Sequence, residues 1–350
     1  GPNGATPFLS SYPSSAVTNV AGNPVRVNLK NDQILSITAL IVMGSGDVAF
    51  IRGYTAAYGD GGRAVLDGGT SGASYVLLSL GASAPPTLIQ DMEFRNNGAS
   101  GSSAAVKADN NGSIFVRCVA HDVRGAGFQS TIHATYVECE AYACNQSNTA
   151  STGAFHGSAG DFVACLRCIA HDNTGSNTSG FSSAVACHYQ GCIADTNGAN
   201  GFRIVSSTMP QTISGCDSYN NGGAGISVSS GVYYVENCNL VKNVGAGLLT
   251  TGLLVARNCG YGSGTQANAA NSGNIDESGT ITYANDVTPW TDPAIGDFRI
   301  NLAAAKGAGY GTFMQTAASY EIAMLVEYTL SEKLNTKGKP YKNVLAVKPV

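Results

Sequence analysis

Between Cys118 and Cys259 the chain is a succession of short apolar runs, three to six residues each, broken by Gly, Asn, Asp and Ser. Apolar and polar positions alternate within the runs, which is strand periodicity, and no segment of ten or more residues holds the 3.6-residue spacing of a helix. One phrase returns throughout: a few apolar residues, a turn residue, Cys, then a small residue two further on. The copies read FVRCVAHD, YVECEAYA, CLRCIAHD, YQGCIADT, ISGCDSYN, VENCNLVK and VARNCGYG, with cysteines at Cys118, Cys139, Cys168, Cys192, Cys216, Cys238 and Cys259. Successive spacings are 21, 29, 24, 24, 22 and 21 residues. Behind each of the first six cysteines stands a second phrase, Gly or Ala before a bulky apolar residue: Gly127-Phe128, Ala154-Phe155, Gly180-Phe181, Gly201-Phe202, Gly225-Ile226 and Gly247-Leu248.

Two ladders with one shared period in the twenties point to a solenoid. The Leu-x-x-Leu-x-Leu spacing of a leucine-rich repeat is absent, so the pattern predicts a coil of three short strands per turn. Each rung lies on the next at about 4.8 Å, like residues stack on like, and unequal rung lengths go into outer loops. Before the ladders the same grammar runs through residues 25–29, 34–43, 48–54 and on to Phe94, with Met92 where cysteines later stand. Residues 34–43 could make a ten-residue amphipathic helix, but their Ile, Thr and Val content favours strand. The expected organisation is an arm or loose cap over residues 1–23 and a β-helix over 24–274. An irregular last rung and closing segment over 275–316, holding the single Trp, precedes a more highly charged capping or assembly segment over 317–350.

Counting by twos from each ladder cysteine assigns faces. Cys and the residue two later (Ala120, Ala141, Ala170, Ala194, Ser218, Leu240) point inward, so the next residue points out: His121, Tyr142, His171, Asp195, Tyr219, Val241. In the second ladder the Phe residues point inward, and Gln129, His156, Ser182, Arg203 and Ser227 point out. The turn residues Asn96-Asn97, Asp122, Asp172-Asn173, Asn197 and Asn220-Asn221 are expected to stack and bond turn backbone.

Composition alters this picture little. Charged residues make up 12% of the chain and Gly numbers 44, which suits many tight turns and few solvated helices. A net charge of -4 gives no electrostatic reason for a nucleic-acid partner. No apolar run is long enough to span a membrane, and the first residues lack the pattern of a signal peptide. The opening Gly1-Pro2 looks like a cleavage scar, so a natural leader is not legible here. Seven of the ten cysteines share one ladder position, where the reading is a buried, reduced, small hydrophobe. Cys165-x-x-Cys168 has no second CxxC or His pair beside it, so no metal site is assigned.

With Gly or Asn before Cys192, Cys216, Cys238 and Cys259, the Asn-rich turns and the Gly-then-bulky step, residues 25–310 resemble a known superfamily. It is the right-handed parallel β-helix superfamily of pectate lyases, polygalacturonases and phage tailspikes. The stretch from Gly296 to Asn301, followed by Ala305 to Gly309, is similar to the closing segment of bacterial and phage β-helix proteins. The resemblance is specific for fold and poor for function. It implies a polysaccharide or cell-surface glycan as partner, an extracellular or virion-associated location and, by analogy with tailspikes, a homotrimer. The expected function is a structural or adhesive β-helix that binds polysaccharide along its face; the alternative is a polysaccharide lyase or glycoside hydrolase with a non-standard site.

The candidate catalytic residues are His156, His171, Asp195 and Arg203, with Tyr142, Tyr219 and Gln129 as ligand-binding candidates. His171 and Asp195 on adjacent rungs would form an acid–base pair, Tyr142 and Tyr219 would stack on sugar faces, and a polymer would run along that stripe. A plain solvated sheet face is the competing reading, since strands favour Tyr in any case. A hydrolase needs two carboxyl groups flanking the bond, and a calcium-dependent lyase needs several acidic ligands. The second stripe offers none unless Asp161 reaches it from a loop or Asp195 from the neighbouring stripe. No cofactor is expected, with calcium the one open alternative, for which no ligand cluster is identified.

Overall fold

The computed structural model describes residues 26–302, except 31–34, 37–40, 44–49, 57–59, 70–74, 150–151, 159–161, 206–210, 263–274, 280 and 284–287. The chain divides into two units, 1–315 and 316–350, and every described residue lies in the first. The expected N-terminal arm, the segment 317–350 and Asp161 fall outside the described residues.

Three parallel sheets of 11, 11 and 9 strands wind into a β-solenoid, each turn adding one short strand to each sheet. One turn shows the plan: Ser113–Val116 in the first sheet, Val119–His121 in the second and Phe128–Ser130 in the third. Leu35–Ser36 and Ile41–Met43 are strands of the second and third sheets, as their β-branched content favoured. Among the described residues there is no α-helix, and none is long and apolar enough to cross a membrane.

The interior is made of like-on-like columns. Phe128, Phe155, Phe181 and Phe202 are fully buried and stack with ring centroids 5.2, 5.0 and 4.9 Å apart. The seven ladder cysteines form a second column at 0–1% exposure, Met92 sits beneath them, and all ten cysteines are buried free thiols. Burial pushes the thiols of Cys118 and Cys139 well above their ordinary pKa, which keeps them protonated.

The corners explain the turn grammar. The residue before each ladder cysteine, from Asp91 and Arg117 through Gly191 and Gly215 to Asn258, has φ between 51° and 62°. That left-handed region suits Gly and Asn and costs other residues energy. Where larger residues occupy the corner they are tied by charge: Arg117 to Asp91 at 2.8 Å and Arg167 to Glu138 at 2.9 Å.

A second left-handed corner follows seven of the second-sheet strands, at Asn96, Asp122, Ala143, Asp172, Thr196, Asn220 and Lys242. The next residue enters a buried column, and there Asn173 donates to Asn197 at 2.7 Å, Asn197 to Asn221 at 2.8 Å and Asn221 to Asn243 at 2.8 Å. The glycine of the Gly-then-bulky step makes room for this row: a Cβ on Gly180 would lie 2.9 Å from the Asn197 amide nitrogen and 3.0 Å from the Gly201 carbonyl.

Candidate functional site

Alternation puts two outward columns on the second sheet. One holds the expected stripe, in register from His121 through Tyr142, His171, Asp195 and Tyr219 to Val241. The other starts one residue after each cysteine and runs Glu93, Val119, Glu140, Ile169, Ile193, Asp217. Sequence reasoning passed over Glu93 and Glu140, although the inward position of Cys and Ala already required the residue between them to point out.

These two columns build a repeated clamp. His171 bonds Glu140 through Nε2 at 3.0 Å and Asp172 through Nδ1 at 2.8 Å. Two rungs earlier His121 bonds Glu93 at 3.2 Å and Asp122 at 2.7 Å with the same ring atoms. Burial lowers both imidazole pKa values, but the paired carboxylates outweigh it and leave each raised. Both nitrogens of each ring are engaged, so His171 is a fixed, charged ring rather than a free proton carrier.

Tyr142 lies between the clamps, stacked on His121 at 4.7 Å and on His171 at 5.1 Å. Neither face of its ring is open to a sugar. Tyr219 presents no face either: Trp290 and Phe298 pack against it at 5.6 and 6.2 Å, and Lys242 Nζ lies 6.0 Å from its centroid. The cover is a hairpin, Trp290–Asp292 paired antiparallel with Asp297–Ile300 through a Pro293–Ile295 turn. A polymer following the whole stripe would meet this hairpin at Tyr219, so the expected through-groove ends there.

Between the hairpin tip and the clamp lies a pocket of about 370 Å³, lined by Glu140, His171, Asp172, Asp195, Thr196, Ile295 and Phe298 among others. Burial raises the Asp195 pKa to about 6, against the lowering effects of the Thr196 hydroxyl, which donates at 2.8 Å, and of charged His171.

The third sheet carries the other candidates. Its outward column runs in register through Ser79, Lys107, Gln129, His156, Ser182, Arg203, Ser227 and Leu249, with no carboxylate among them. The candidate catalytic set is therefore split between two sheets, His171 and Asp195 on the second, His156 and Arg203 on the third. Burial, aided by the nearby Arg203 charge, lowers the His156 pKa to about 4, so the ring is neutral near pH 7. His156 Nδ1 and Arg203 Nη1 are buried atoms without a hydrogen-bond partner. They stand on either side of Ser182, one rung away each. Buried polar atoms left unpaired are rare and mark places where water, an ion or a ligand belongs. Gln129, next to His156, donates to Ser158 at 3.3 Å. Among the described residues no group of three or more His, Cys, Asp or Glu is arranged to hold a metal ion.

Comparison with solved structures places this architecture. The pectate lyase Pel9A matches with a TM-score of 0.53 at 15% identity, covering 83% of each chain. The fold is that of a parallel β-helix, the architecture this chain shares with that structure. The A-module of the Azotobacter vinelandii mannuronan C-5 epimerase AlgE4 matches with a TM-score of 0.50 at 13% identity, over 76% of this chain and 88% of that one. No protein-family model matches the sequence, and no curated protein does. In this β-helix, identities so low carry the fold and leave the chemistry to the site.

Proposed function

We propose that this β-helix binds an acidic polysaccharide along its third sheet, with Arg203 and His156 gripping a uronate carboxylate above Ser182. The observation that carries the reading is the pair of buried, unpartnered nitrogens on His156 and Arg203. Arg203 brings a permanent charge and a fork suited to a carboxylate. Lys107, four rungs along the same column and roughly 19 Å away at the strand spacing, is already paired with Asp109 at 2.8 Å, which leaves Arg203 as the cation the reading rests on. The names of the similar structures, a pectate lyase and a mannuronan epimerase, fit a glycan of this class. Display on a cell or particle exterior suits a binder of this kind.

The neutral state of His156 favours a second reading, in which binding is followed by chemistry. A carboxylate held by Arg203 makes the neighbouring sugar C–H more acidic, and a neutral imidazole can take that proton. Departure of the neighbouring sugar oxygen, protonated by water, would then give an unsaturated uronate; delivery of a proton from water to the opposite face, with His156 losing its own to solvent, would give the epimer.

Calorimetry against polygalacturonate, alginate and a neutral glucan tests binding. Uronate polymers are expected to bind, with Arg203→Ala weakening them about tenfold or more, the cost of one charge-assisted contact. Equal binding of the neutral glucan, or an unaffected Arg203→Ala, would reject the reading. Absorbance from unsaturated uronates, or altered residue composition by NMR, lost in His156→Ala, would add catalysis.

A further inference from the structure

The pocket under the hairpin differs in kind from the third-sheet row. Its lining holds three carboxylates, Glu140, Asp172 and Asp195, against the single imidazole of His171 and no Lys or Arg. Arg63 acts on Glu140 from outside that lining, and its Nε is committed to the Arg117 carbonyl at 3.2 Å. Glu140 and Asp172 each give one oxygen to His171, and Asp195 gives one to Thr196. Their second oxygens have no hydrogen-bond partner among the described residues. Charged His171 offsets one of the three negative charges, so the cavity repels an anionic sugar and attracts a cation.

Shape narrows the choice. The hairpin closes the groove where Phe298 and Trp290 meet Tyr219, which excludes a chain running through. A volume of about 370 Å³ is at the small end of ligand sites. The roof is apolar, and Ile295 on its rim is 79% exposed, an uncommon place for a large aliphatic side chain with nothing against it.

We propose that this pocket is a second binding site, taking a compact ligand with a protonated amine: the ammonium on the open oxygens of Asp195 and its neighbours, the body against Ile295 and Phe298. An ammonium supplies three donors and one positive charge, the complement of what the floor presents. An amino sugar and a small polyamine share this chemistry.

Titration calorimetry of the full chain with glucosamine, N-acetylglucosamine, glucuronate and putrescine tests the site. Glucosamine, putrescine or both should bind and N-acetylglucosamine should not, while any glucuronate binding should persist in Asp195→Asn and belong to the third-sheet row; which amine binds identifies the source. Asp195→Asn should weaken amine binding about tenfold, the loss of one charge-assisted contact. Ile295→Lys, on the exposed rim and harmless to the core, should do likewise by placing a like charge at the entrance. Arg203→Ala should bind amine like the parent, which separates this site from the third-sheet reading. Absence of amine binding, equal binding of N-acetylglucosamine, or indifference to both pocket variants would overturn the proposal.

Discussion

His171 and Asp195 sit on adjacent rungs yet answer to pH for different reasons. The His171 value lies above the unfolded reference of about 6.5, because Glu140 and Asp172 outweigh burial. Its contribution to stability is therefore complete below about pH 6.5 and fades as pH rises through the folded value. Glu140, lowered chiefly by its bond to His171, loses its own contribution as pH falls below the carboxylate range. In urea denaturation the advantage of the parent over His171→Gln should peak between about pH 5 and 6.5 and shrink by pH 9. An advantage flat across that range would reject the clamp as a charged pair. For Asp195 the folded value is raised to about 6, so ionisation opposes folding as pH climbs from about 4. Asp195→Asn should match the parent near pH 4 and exceed it at pH 8 by about 1 kcal/mol, after discounting for partial exposure. A stabilising substitution at a residue assigned to binding is what a site holding an uncompensated charge produces.

Strands, corners and the hairpin were unequally visible in the sequence. The cysteine and Phe ladders gave away the sheets, because burial on alternate positions writes itself directly into residue type. The Gly-then-bulky step was visible too, though its cause, the asparagine row across the corner, exists only once the rungs are stacked. Asn197→Ala should cost about 1 to 3 kcal/mol by leaving Asn173 and backbone groups unpaired, while Asn220→Gly, which keeps the left-handed corner and removes an exposed side chain, should cost under about 0.5. Similar losses at both positions in thermal melts would deny the row its role. Glu140 was legible and missed; the docking of Trp290 and Phe298 onto Tyr219 was not legible, since no local pattern says where a distant hairpin lands. Phe298→Ala should loosen the hairpin and leave the coil intact, raising the Trp290 emission wavelength without lowering the main melting transition by more than a few degrees. A large loss of coil stability would mean that the hairpin closes the core instead of covering a finished sheet.

At the scale of the whole coil, stability is a sum over neighbouring rungs, and the thiol column reports on it. Native protein should react slowly with a thiol reagent and denatured protein should approach ten groups per chain. Slow reaction that begins at the outermost ladder cysteines would mark fraying from the ends, and fast reaction of most thiols in the folded state would contradict the burial of the column. The asparagine row has a consequence on this same scale. Asn173, Asn197 and Asn221 each donate to the side-chain oxygen of the next asparagine up and also to a backbone carbonyl one rung down, at Ala141, Ala170 and Ala194, and the row is fed at its start by the Cys144 backbone N–H at 2.8 Å. These side-chain bonds draw an arrow along the axis, in which reversing one amide sets donor against donor with the residue before it and acceptor against acceptor with the residue after it. The row lies inside the coil, with Val123 and Cys144 at its corner on the rungs below and further rungs above Asn243, so a rung duplicated within it would keep the donors in line only if its own corner residue were Asn.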